Sequence, residues 1–229
     1  MYKMLLLASA AALVSSSAFA GHNVSLHASG VKNFSGVKAP SHQVAPKGKG
    51  LCGTKFGPEL TTPDGLIGWN DTSGTYNTAG ASDFKCKKAT SVKEVDVYGY
   101  NAPANPEQYN VTFYANDKKS NEPNDKGKAV CSYTGLMAEG GGSYPTHVLS
   151  HIKLSKACKL KTGTYWVAVQ NNDAAGPWYW EMTSQLSGAP ADWVDRGNVF
   201  GSGCTTFDNG EYLQQCLGYT YPDYMLELH

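Results

Sequence analysis

The sequence predicts an all-β fold: an antiparallel β-sandwich, jelly-roll-like, with three disulfides. Three observations carry that expectation. Short runs alternate apolar and polar residues with a period of two and are separated by turn residues, as in Tyr109, Val111 and Phe113 against Asn110, Thr112 and Tyr114. No stretch after residue 50 sustains apolar residues at spacings of three and four, the mark of an amphipathic helix. The six cysteines all lie beyond residue 50, and an even count in an exported chain reads as a disulfide framework.

Taken in order, residues 1–20 have a signal-peptide layout. Lys3 supplies the positive start, residues 4–14 a short apolar run, and Ala18-Phe19-Ala20 a small-x-small cleavage site. The run is short and alanine-rich for a membrane span, so the expected location is secreted or periplasmic, with no transmembrane segment in the mature chain. Cleavage would remove one charge, that of Lys3, and leave a net charge of −1. Such a balance offers no general attraction for nucleic acid or anionic membranes. Residues 21–50 are poor in large apolar groups and rich in Gly, Ser, Lys, His and Pro, which describes a flexible leader. It holds His22, His27 and His42. The amine of Gly21 with His22 could chelate copper weakly; solvated histidines are the plainer reading. Residues 51–229 suffice for one domain with a full core.

Thr62-Pro63-Asp64-Gly65 reads as a turn before the short apolar piece 66–69. Strands are expected at 92–98, with Gly99 a bulge or bend, and at 109–114, 129–133 and 147–154. Pro103, Pro106 and the glycines 140–142 mark loops between them. In 164–170, Tyr165, Val167 and Val169 share one face and Trp166 and Ala168 the other, so both faces are covered and the strand is central. Trp178, Trp180 and Met182 share a face of the next strand, with Tyr179 and Glu181 opposite. The two form, on this reading, a central hairpin over 160–182 that builds the core. A last strand covers 224–228.

Six cysteines allow about fifteen pairings. Strand order suggests Cys204–Cys216 and Cys131–Cys158 as local bridges, leaving Cys52–Cys86. The turn Asp208-Asn209-Gly210 favours the first, and a loop of that size stabilises by roughly 3 kcal/mol. No Cys-x-x-Cys spacing points to zinc.

From Ser82 to the C-terminus, a series of motifs falls in one order. These are Ser82-Asp83-Phe84, Val95-Asp96-Val97-Tyr98, Val111-Thr112-Phe113-Tyr114, Gly163-Thr164-Tyr165-Trp166-Val167, Trp178-Tyr179-Trp180, Gly188-Ala189-Pro190-Ala191-Asp192-Trp193, Gly203-Cys204-Thr205-Thr206 and Pro222-Asp223-Tyr224-Met225. The order resembles an uncharacterised β-sandwich module of secreted and surface bacterial proteins. That resemblance implies fold and export, and it brings no catalytic residues with it.

The candidate ligand-binding residues are Trp193, Trp178, Trp180, Tyr179 and Glu181, with Trp69 beside them. Flat aromatic faces stack on sugar rings, but alternation turns Trp178 and Trp180 to one face, where core packing competes. Trp193, in the loop 187–203, is the more exposed candidate. A glycosidase would need two carboxylates across one bond. Glu181, Asp173, Asp192 and Asp195 are the acids at hand, with Asp192 a capping residue and Asp195–Arg196 a solvated pair on the simpler reading. His147 and His151 on a strand would stand about 13 Å apart, too far to share an ion. Calcium could use Asn171, Asn172 and Asp173, or Asn121, Asn124 and Asp125, although neither group follows a calcium-loop pattern. Asn23, Asn33, Asn70 and Asn110 sit in glycan-acceptor sequons, which matter only in a eukaryotic source. The expected function is non-catalytic binding of carbohydrate or another cell-surface ligand, with a structural or adhesive envelope protein and a glycoside hydrolase as the alternatives.

Overall fold

The period-two runs become strands in the computed structural model, which describes residues 50–57, 65–71, 73–100, 108–140, 148–172, 177–207, 212–218 and 221–229. The signal peptide, the leader up to residue 49 with its three histidines, Asn23 and Asn33, the turn at Pro63, Pro103, Pro106, Gly141, Gly142, His147, Asp173 and the turn 208–210 lie outside the described residues.

A 3-10 turn at Leu51–Gly53 precedes β1 (Gly65–Ile67), β2 (Thr78–Cys86), β3 (Thr90–Tyr100), β4 (Gln108–Ala115) and β5 (Cys131–Gly140). Then follow β6 (Val148–Leu160), β7 (Gly163–Asn171), β8 (Tyr179–Thr183), β9 (Asp192–Asp195), the single-turn helix α1 (Leu213–Leu217), β10 (Asp223–Tyr224) and β11 (Leu226–Leu228). The strands pair antiparallel in the order β1-β8-β3-β6-β5-β4-β7-β2-β9, with β10 on β8 and β11 on β3. Among the described residues the fold is thus antiparallel β with almost no helix and three disulfides, as the alternation and the cysteines predict. Its sheet is one hydrogen-bonded surface curled into a half-barrel.

The curl has a local cause in β5. Residues Tyr133 and Leu136 of β5 pair with Val111 and Tyr109 of β4, so Thr134 and Gly135 together face the single residue Asn110. Two residues against one is a β-bulge, which bends its strand and sharpens the twist. Gly135 takes φ 65°, a left-handed conformation that glycine adopts without a Cβ penalty. Its N–H donates to Asn110 Oδ1 at 3.0 Å. Beyond the bulge, Ala138, Glu139 and Gly140 pair with β6. One strand therefore hydrogen-bonds to both arms of the curl.

The inner faces of the two arms meet in one core. Val92, Val95 and Val97 of β3 and Ile152 of β6 pack with Tyr109, Val111 and Phe113 of β4, Val167 and Val169 of β7, and Phe84 of β2. Trp166 and Ala168, on the other face of β7, are covered by Ala189 and Phe207 in a second cluster. β7 is buried on both faces and sits between β4 and β2, as its sequence predicts. The disulfides join Cys52 to Cys86, Cys131 to Cys158 and Cys204 to Cys216.

Three expectations change. β7 and β8 do not form a hairpin: β7 pairs with β4 and β2, whereas β8 pairs with β1, β3 and β10. Strands adjacent in sequence are thus placed on opposite arms of the curl. Gly99 is not a bulge. It pairs in register with Val148 and Trp180, and its missing Cβ leaves room for the Trp178 indole. The third strand runs over Cys131–Gly140 rather than 129–133, and the fourth extends to Leu160.

A Gly135→Ala variant tests the bend. Its Cβ would make only an ordinary contact, at 3.6 Å to Gln108 Oε1, so the cost is in the backbone. Denaturant unfolding should show a loss of about 1–2 kcal/mol with an unchanged m-value.

Candidate functional site

The aromatic candidates lie inside. Trp178, Trp180 and Trp193 are 1%, 0% and 0% exposed, and Tyr179, Trp69 and Trp166 are also buried. Trp180 stacks on Tyr224 with ring centroids 4.5 Å apart, and Trp178 lies 6.0 Å from Trp180 and edge-on to Tyr109. Two of the indole N–H groups find buried acceptors: Trp180 donates to Met225 O at 2.8 Å and Trp193 to Ile67 O at 2.9 Å. Trp193 belongs to β9 rather than to an open loop, because its alternation with Asp192 and Val194 pairs it to Gly80 of β2. None of these rings offers a face for stacking on a sugar. They were placed by the pull of about 150–250 Å² of apolar surface per ring, which sequence alone assigns to a platform or a core with equal ease. Trp180→Ala should therefore act on stability, costing about 3–5 kcal/mol in chemical denaturation.

The acids are also drawn inward. Glu181, Asp192 and Asp195 are buried. Asp192 Oδ1 accepts from the N–H of Trp193 at 2.7 Å, and Asp195 Oδ2 from that of Phe200 at 2.9 Å. The expected Asp195–Arg196 surface pair is replaced by a bidentate pair of Arg196 with Asp125, both contacts at 2.9 Å, and the guanidinium lies over the Phe207 ring. Planar recognition of this kind ties the 116–126 loop to the chain beyond β9. Three of the calcium candidates have their side-chain oxygens engaged by protein donors. Asn121 Oδ1 accepts from Asn116, Asn124 Oδ1 from the Gly127 N–H, and Asn172 Oδ1 from Asn70.

Two polar groupings outside the candidate ligand-binding residues are better formed. The first is a small, shallow cleft, open to solvent, lined by Lys55, Ser82, Asp83, Gln185, Ser187 and Asp223 among others. Asp223 accepts from Ser82 Oγ at 2.7 Å and from the N–H of Ser187 at 3.2 Å, and Asp83 from the N–H of Ala189 at 3.0 Å. Burial lifts the Asp83 carboxyl to about 6 against those bonds, and burial lifts Asp223 to about 7, with the Asp83 charge adding to the rise.

The second lies on the outer face of β3, β6 and β11. Asp96 stands opposite Glu227 on one side and His151 on the other. Glu94 and His229 exchange backbone hydrogen bonds beside them. His151 Nδ1 is 3.0 Å from Asp96 Oδ1 and 3.6 Å from Glu94 Oε1, and His229 Nε2 is 3.3 Å from Asp96 Oδ2. Burial raises the carboxyls of Asp96 and Glu227, and the neighbouring histidines pull them back. The signal was present in the sequence: Glu94-Val95-Asp96 and Glu227-Leu228-His229 both alternate around a core residue. His151 was visible only as a partner of His147.

No family model, no curated protein and no solved structure matches this chain. The domain is therefore defined by its own geometry: an antiparallel β half-barrel, held by three disulfides, with two outward-facing carboxylate groupings.

Asp83 and Asp223 give stability a definite pH dependence. Both bind a proton more tightly folded than at the ordinary value of 3.8. Their contribution is complete in acid below that value and is lost as pH rises through about 6 and 7. Asp223→Asn should flatten the fall in stability between pH 5 and pH 8 by on the order of 3 kcal/mol at most, read from unfolding curves across that range.

Proposed function

We propose that this chain is an exported, non-catalytic, jelly-roll-like β-sandwich module that serves as a structural or adhesive protein of a bacterial envelope. The observation that carries the reading is the placement of its tryptophans. All five are buried, so the side chains best suited to ligand stacking hold the fold instead. Three disulfides suit an oxidising compartment, and the layout of residues 1–20 suits export. The two inner faces meeting in one core support the sandwich description.

Carbohydrate or another polar cell-surface ligand is the second reading, favoured by the cleft beside Ser82, Lys55 and Gln185, which offers hydrogen-bonding groups without an aromatic floor. A glycoside hydrolase draws less support. Asp83 and Asp223 are already engaged with backbone N–H groups and Ser82, and Glu181 is inside.

The full-length protein, exported from a bacterial host, is to be tested by sizing and by co-sedimentation with envelope fractions. Retention on the envelope or concentration-dependent self-association is expected. A monomer at all concentrations that binds no envelope fraction overturns the proposal. Glycan-array binding that Ser82→Ala with Gln185→Ala abolishes would move the assignment to the second reading.

A further inference from the structure

The strongest unassigned feature is the grouping on β3, β6 and β11. Val95 and Leu228 are fully buried in the core, so their neighbours Glu94, Asp96, Glu227 and His229 emerge on the opposite face. Asp96 and Glu227 oppose each other directly across the strand pair, and both side chains are 1% exposed. Like charges in that position destabilise a sheet, and buried charges need compensation. The compensation is incomplete. Glu227 Oε1 is buried without a hydrogen-bond partner, 4.0 Å from His229 Nε2, whose nearer carboxylate is that of Asp96 at 3.3 Å. Lys153, which pairs across the strands with Glu94, is taken by Glu139 at 2.6 Å.

We propose that Glu94, Asp96 and His151, flanked by Glu227 and His229, form a binding site for a divalent transition-metal ion of the zinc class. Asp96 is the hub, with one oxygen toward each imidazole. The donor atoms of Glu94, Asp96 and His151 all lie within 4.8 Å of one another. Donors about 2.0–2.1 Å from a tetrahedral ion stand about 3.3 Å apart. The contacts of His151 Nδ1, 3.0 Å to Asp96 Oδ1 and 3.6 Å to Glu94 Oε1, bracket that spacing. The His151 imidazole among carboxylates selects zinc and its neighbours over calcium and magnesium, which favour all-oxygen shells. The partial exposure of Glu94 and His151 gives the ion an entry path from solvent. The buried Glu227 carboxylate adds charge and holds His229 in place.

The leader histidines are a competing source of zinc binding, so the test removes them. Chelator-treated full-length protein carrying His22→Ala, His27→Ala and His42→Ala is titrated with zinc sulfate by calorimetry, with calcium and magnesium chloride as comparisons. One saturable zinc equivalent is expected, with a rise in Tm and no response to calcium or magnesium. His151→Ala and Glu94→Gln, both at partly exposed positions, should each weaken binding at least about tenfold. His151→Gln provides a gentler replacement if His151→Ala does not fold. Cobalt should give a visible absorption band that His229→Gln shifts. Absence of saturable zinc binding overturns the proposal, as does zinc binding that survives the combined Glu94→Gln and His151→Gln variant.

Discussion

The domain depends on one strand serving both arms of a curled sheet. β5 pairs with β4 on both sides of its bulge, from Cys131 to Met137, and then with β6 from Ala138 to Gly140, so the turn that Thr134 and Gly135 make lies just before the strand passes from one arm to the other. Without it the inner faces would diverge, and the apolar side chains of β3 and β4 would have no common core. The bridge from Cys131 to Cys158 fastens the start of β5 to the end of β6, where backbone pairing between those strands has already stopped. A covalent bond thus closes the part of the curl that hydrogen bonds leave open.

Outside the sheet, carboxylates take over the work of strand pairing. The chain from Gln185 to Phe207 includes only four residues of strand. Its N–H groups are instead received by acids: Ala189 by Asp83, Ser187 by Asp223, and Phe200 by Asp195. Bonds to a carboxylate are stronger than bonds to a neutral carbonyl when the acid is ionised. Burial opposes that ionisation at Asp83 and Asp223, so this layer is held by a balance between hydrogen bonding and desolvation.

The sequence made the strands legible because a half-buried strand must alternate. Tyr109, Val111 and Phe113 are all fully buried, as their period requires, and β7 is covered on both faces as its composition requires. Partners were not legible. That Asp96 meets Glu227 from 131 residues away is decided by register, which no local pattern encodes. The acids were the hardest to place. Asp195 looked like half of a surface ion pair, yet it is fully buried, because its value lies in receiving backbone N–H groups. The aromatic residues of β8 and β9 were recognised as important, but their composition fits an interior and a binding face alike.

A half-barrel, unlike a closed barrel, has exposed rims, and an uncovered strand rim recruits other chains. Here the outer side of β9 is met by the backbone on both flanks. The N–H of Asp195 donates to Cys204 O at 2.8 Å, and that of Leu213, at the start of α1, donates to Ala191 O at 3.1 Å. The two covering segments are joined to each other by the bridge from Cys204 to Cys216. That bond therefore protects solubility as well as fold. In a reducing cytoplasm the cover would be free to lift from β9, leaving a short row of unpaired amides and carbonyls open to strand addition. The oxidation state of one short bridge therefore decides whether this rim of the sheet is closed.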